Sequence, residues 1–170
     1  MATYNATNER IKRKYLIYLK EAMRYSEASV DAVAKALSRF EADTKYRDFR
    51  AFHVGQAVAF KRHLADKTNP RTGRKLSKAT LNATCAHLKR FFHWLAGQPT
   101  YKSRLQYADA DYFNLSENDV RVATAKREKV GPTLDQVKHV ISLMPTETVI
   151  QRRDRALIAF TLLTGARDSA

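Results

Sequence analysis

The chain has 170 residues, 44% of them hydrophobic, which is enough for one ordinary domain or for a small domain with part of a second. A single cysteine, Cys85, rules out an intrachain disulfide, gives no basis for a cysteine-based metal site, and points to a reducing, intracellular setting. The balance of 31 Lys and Arg against 17 Asp and Glu, a net charge of +14, exceeds what solubility requires and points to a polyanionic partner.

The excess charge is uneven. Residues 1–100 carry 20 basic and 8 acidic side chains, whereas residues 101–170 carry 11 and 9. Basic residues scattered over well-formed amphipathic helices favour nucleic acid over a membrane surface. The longest apolar run, 156–163, is far shorter than the roughly 20 residues that span a bilayer, so a soluble protein without a membrane partner is expected.

Hydrophobic spacing is helical almost throughout, which predicts an all-α chain. A first helix is expected over 7–24, with Ile11, Tyr15, Tyr18, Leu19 and Ala22 on one stripe and Arg10, Arg13, Lys20 and Arg24 on another. Ser29 is the expected N-cap of a second, which turns Val30, Val33, Ala34, Leu37 and Phe40 inward. A third is expected over 53–65, reached through the aromatic pair Phe49 and Phe52. The fourth begins at Ser77 as N-cap and ends before Gly97, a residue suited to the left-handed closing turn. Its apolar stripe is Leu81, Cys85, Leu88, Phe92 and Leu95. Lys78, Asn82, Ala86, Lys89, Arg90 and His93 form a polar side with no carboxylate of its own.

The loop 67–78 that leads into this helix is broken by Pro70 and Gly73, contains Arg71, Arg74 and Lys75, and has no acid. Together, Arg71, Arg74, Lys75, Lys78, Asn82, Lys89 and Arg90 are the candidate nucleic-acid contacts. For Lys89 and Arg90, an ordinary solvated helix face is an equally good account. His87, His93 and Cys85 lack metal-ligand spacing, and Cys85 reads as a core residue.

After residue 100 the periodicity weakens, so 101–131 reads as an interdomain linker and 132–170 as the start of a second domain. Thr133 is the expected N-cap of a helix carrying Leu134, Val137, Val140, Ile141 and Met144, which stops at Pro145. A last helix is expected over 147–164. Its second half is apolar on nearly all sides, as in a helix buried in a larger domain than the remaining residues can build. On this pattern the chain is expected to be incomplete at its C-terminus.

The segment Arg153-Asp154-Arg155-Ala156-Leu157, an apolar helix, then Thr164-Gly165-Ala166-Arg167-Asp168-Ser169 resembles the opening of a tyrosine-recombinase (phage-integrase) catalytic domain. That family's pattern runs R-D-x-A-L, apolar helix, T-G-x-R-x-S-E. Thr133-Leu134-Asp135-Gln136-Val137 is similar to its first catalytic-domain helix. The stretch from Ser77 through Trp94-Leu95 is similar to the last helix of its SAM-like, four-helix core-binding domain. Two positions depart from the pattern, Asp168 where an apolar residue is usual and Ala170 where an acid is usual.

The resemblance implies a core-binding domain over 1–100 and the first helices of a truncated α/β-type catalytic domain over 132–170. It implies double-stranded DNA as partner, a tetramer of the whole enzyme on paired sites, and cleavage through a 3′-phosphotyrosyl bond without metal or cofactor. A cytoplasmic, nucleoid-associated setting follows. Arg167 matches the first of the family's two phosphate-gripping arginines. The later H-x-x-R box and tyrosine nucleophile have no counterpart in the 170 residues, so this chain alone is expected to bind without cutting, as a monomer or weak dimer.

The chemistry suits the residue. A guanidinium stays charged and donates two parallel hydrogen bonds to the non-bridging oxygens where transition-state charge gathers. Arg153, Asp154 and Arg155 are accounted for by helix dipole and packing. Two readings from other classes remain beside this one. One is a non-catalytic helical nucleic-acid-binding module; the other is an RNA-binding or protein-docking bundle that uses Phe91, Trp94, Tyr101 and Tyr107 to stack bases or pack a partner.

Overall fold

The computed structural model describes residues 4–69, 72–126 and 131–165. These are helical with no named strand, in agreement with the all-α expectation. They form two compact units, one up to Ala125 and one from Lys126.

In the first unit, α1 (Ala6–Glu21) starts where the Asn5 carboxamide oxygen accepts from the backbone N–H groups of Thr7 and Asn8 at 3.0 and 3.2 Å. The helix ends earlier than its stripe predicts. Arg24 takes a left-handed φ of 56°, and the Met23 and Tyr25 amides turn back onto the carbonyls of Tyr18 and Leu19. A closing turn on arginine has no glycine to announce it. The next helix, α2 (Glu27–Asp43), is capped by Ser26 and not by Ser29; the Ser26 hydroxyl accepts the Ser29 amide at 3.3 Å, and Ser29 lies within the first turn. A 3-10 turn (Phe49–Ala51) leads to α3 (Val54–Asp66), which has His53 at its N-cap and lies one residue later at each end than expected.

The fourth helix, α4 (Lys78–Ala96), is capped by the Ser77 hydroxyl, which accepts the Thr80 amide at 3.2 Å. Gly97 follows it but is right-handed, with φ −80°. Its lack of a side chain serves a different end. A Cβ there would sit 3.2 Å from the hydroxyl of Tyr107.

Residues 101–125 are not a connecting segment. Tyr101, Leu105, Ala110 and Phe113 are buried in the same core as α1–α4. The 3-10 helix (Tyr107–Phe113) and α5 (Glu117–Thr124) both pack on α4. Ala110 and Phe113 are three apart, the 3-10 spacing, and this escapes a search for a 3.6-residue period.

The core is aromatic. Phe40, Phe49, Phe52, Phe60, Phe91, Phe92 and Phe113 meet edge-on or offset, with Phe40 5.3 Å from both Phe60 and Phe92. At one end a polar cluster is sealed in. Asn8 donates to the Glu41 carboxylate (3.1 Å) and to the Arg47 carbonyl (2.9 Å), and accepts from the Phe49 amide (3.0 Å). Lys12 bridges Glu41 and Glu9. Burial works against the charged Lys12 ammonium, but the two carboxylates outweigh it and hold its pKa above the ordinary lysine value.

In the second unit, α6 (Leu134–Leu143) and α7 (Val149–Thr164) are capped by Thr133 and Thr148. Gln136 and Gln151 close each box by accepting the cap residue's amide at 2.8 and 2.9 Å. The Thr133 cap agrees with the sequence reading; α7 begins two residues later than expected. Gly165 is left-handed, φ 62°, and ends α7. The apolar second half of α7 is exposed, with Leu157, Phe160 and Leu163 accessible to 56%, 61% and 85%. Among the described residues, no helix is long and apolar enough to cross a membrane.

Candidate nucleic-acid interface

The loop before α4 is a short closed hairpin. Thr68 and Lys75 form an antiparallel bridge, the Asn69 amide donates to the Arg74 carbonyl at 2.8 Å, and the Leu76 amide donates to the Lys67 carbonyl at 3.0 Å. Gly73 takes a left-handed φ of 64° within it. Leu76 packs on the core, and Ser77 then caps α4. Arg74 and Lys75 thus project into solvent from a pinned backbone. Arg71 lies outside the described residues.

On α4, Lys78, Asn82, Lys89 and Arg90 share the face turned away from the core, with Asn82 half-buried and Arg90 exposed. This face is less purely basic than its own helix makes it. Lys78 pairs with Asp119 of α5 at 2.7 Å, and Lys89 pairs with Asp111 at 2.8 Å while donating to the Asn114 side chain at 3.0 Å. In the loop, Lys75 pairs with Asp66 at 2.9 Å. The hydrogen bonds from Lys75 and Lys78 hold the Asp66 and Asp119 carboxyls below the usual carboxylate range. Asp119 and Asp111 lie 41 and 22 positions from their lysines, so a helical-wheel reading of 78–93 misses them, while Asp66 sits just before the loop. All three pairs are solvent-exposed and cost little to open.

Arg90 has no ion pair among the described residues. It stands beside a groove of about 570 Å³ between α1 and α4, walled by Tyr15, Tyr18, Tyr25 and Trp94. Tyr15 and Trp94 have ring centroids 4.9 Å apart, and Tyr18 and Trp94 stack at 6.1 Å with planes 27° apart. Burial, opposed by Arg90, raises the Tyr15 phenol well above its ordinary pKa. On the other side of Arg90, His87 is lowered by burial and by the guanidinium, and its Nδ1 has no hydrogen-bond partner among the described residues.

The aromatics singled out in the sequence divide. Phe91 and Tyr101 are core residues and cannot stack a ligand. Tyr107 is exposed against His93, 4.8 Å between centroids, and Trp94 lines the groove. Its partners Tyr15 and Tyr18 belong to one stripe of the first helix, and only the packing of α1 on α4 brings them to Trp94. Cys85 is buried and its thiol is pushed up to about 11, consistent with a core residue. Among the described residues, no group of His, Cys, Asp or Glu could hold a metal ion. Arg153 is paired to the adjacent Asp154 at 2.9 Å. Arg167 lies outside the described residues. Comparisons with family models, curated proteins and solved structures return no match.

Proposed function

We propose that the first unit binds duplex DNA along the hairpin before α4 and the outer face of α4, and that the chain is the DNA-binding part of a tyrosine-recombinase type of strand-exchange enzyme. The observation that carries the DNA reading is the row of exposed cations Arg74, Lys75, Lys78 and Arg90 on backbone fixed by a hairpin, a cap and an aromatic core. Fixed cations meet phosphates with little ordering cost. The SAM-like assignment and the role of Arg167 rest on the motif resemblance at 77–95, 133–137 and 153–169. In that reading Gly165, which ends α7 in a left-handed turn, is the glycine of the T-G-x-R segment, and Arg167 grips the scissile phosphate.

The test is a salt titration of duplex binding. Each phosphate contact contributes about 0.9 to the log–log slope, so alanine at Arg74, Lys75, Lys78 and Lys89 together should flatten it by up to about 3.6 and weaken binding at low salt. Unchanged affinity and slope would put the DNA surface elsewhere.

A further inference from the structure

We propose that the aromatic groove between α1 and α4 takes an unpaired nucleotide of a DNA strand, its base against Tyr18 and Trp94 and its phosphate on Arg90. This rests on the nucleic-acid reading of α4 and narrows it from a duplex surface to a pocket for one base.

Three observations point to that occupant. First, the volume, about 570 Å³, falls in the range of small-ligand pockets, about 300–1,000 Å³. Second, the walls are planar aromatics left partly open. Trp94 is half-buried, whereas Tyr18 and Met23 at the mouth are exposed, so an aromatic face remains for a ring to cover. Third, the rim is basic, with Arg90 and His93, and among the described residues no carboxylate lines the groove. Lys89 lines the groove while its ammonium is engaged by Asp111 and Asn114, which leaves Arg90, without an ion pair among the described residues, as the cation at the opening. A flat π surface beside a guanidinium matches a base joined to a phosphate and is indifferent to which base it is. An apolar peptide segment would leave Arg90 without a counter-charge.

Trp94 is the chain's single tryptophan, so intrinsic fluorescence reports on the groove directly. The chain is titrated with a 12-nucleotide oligothymidylate, with an abasic strand of equal length, and with a duplex. Saturable quenching by oligothymidylate but not by the abasic strand is expected. Tyr18→Ala should weaken single-strand binding about tenfold, as loss of one stacking partner does, and Tyr18→Phe should restore it, with helical content by circular dichroism unchanged in both. Equal quenching by the abasic strand, no quenching at all, or full binding by folded Tyr18→Ala overturns the proposal. The duplex reading is judged separately, through Arg74→Ala and Lys75→Ala, which lie outside the groove; duplex binding that depends on them while oligothymidylate leaves Trp94 unchanged sinks the groove alone.

Discussion

Three carboxylates sit on three of the lysines proposed to meet DNA, and removing them should strengthen binding. Asp66, Asp111 and Asp119 lie 2.9, 2.8 and 2.7 Å from Lys75, Lys89 and Lys78. In the free protein each lysine already has a counter-ion, so phosphate must displace an aspartate before condensed cations are released from DNA. Changing all three to asparagine keeps side-chain size, leaves the ammoniums unpaired and raises the formal net charge from +14 by three.

If each lysine then adds one full phosphate contact, the log–log salt slope steepens by about 0.9 per position, up to about 2.7 in all. At 0.1 M salt, relative to 1 M, that corresponds to a ceiling of about eightfold in affinity per position. The gain should fall below this ceiling, because exposed ion pairs open readily and DNA already captures part of the effect. The assay is fluorescence anisotropy with a labelled duplex between 50 and 400 mM salt. The control is a triple variant of equal charge, Glu21→Gln, Asp31→Asn and Asp135→Asn, at exposed acids elsewhere. If the control tightens binding as much, or if the lysine-facing triple leaves affinity and slope where they were, these lysines do not face DNA.

Other consequences can be checked independently. Lys12→Met leaves the fully buried Glu41 carboxylate with only the Asn8 amide, and a broken buried pair costs about 3–5 kcal/mol, a large share of a typical 5–15 kcal/mol. Urea unfolding followed by Trp94 fluorescence should show it, and a loss under about 1 kcal/mol would mean that water reaches the pair. Because His87 titrates below its ordinary 6.5 in the folded chain, the unfolded chain binds the extra proton first. Its contribution is therefore complete above about pH 6.5 and is lost as pH falls from there through the lower, folded-state value. His87→Leu should shrink the drop in urea midpoint between pH 7.5 and 5.5, and an undiminished drop would assign it to other groups. In an enzyme that carries residues 153–169 with the family's remaining catalytic groups, Arg167→Lys should cut covalent adduct formation on a nicked duplex by about a hundredfold while binding changes little. Adduct at the unmodified rate would remove Arg167 from the chemistry.

Local signals carried most of the secondary structure. Ser77, Thr133 and Gly165 mark helix ends through contacts within one turn, so their chemistry is complete in a few residues. Spacing alone pointed to Ser29 where Ser26 makes the cap of α2, and it gave no sign that arginine would take a left-handed turn at position 24. The stripe of α4 and its outward cations were also legible, because a helix displays its two faces at a fixed period.

What lay beyond that reach was every feature made by distant segments meeting. The burial of Tyr101, Leu105, Ala110 and Phe113 depends on the core formed by α1–α4, and without it the stretch 101–125 has the weak periodicity of a linker. The carboxylates on Lys75, Lys78 and Lys89 come from 9, 41 and 22 positions away along the chain. The groove needs tyrosines of α1 beside the tryptophan of α4. Sequence determines which face each helix can bury; which surfaces and charges then meet is decided by the packing of those faces, a collective balance in which no single residue's preference is large enough to be read alone.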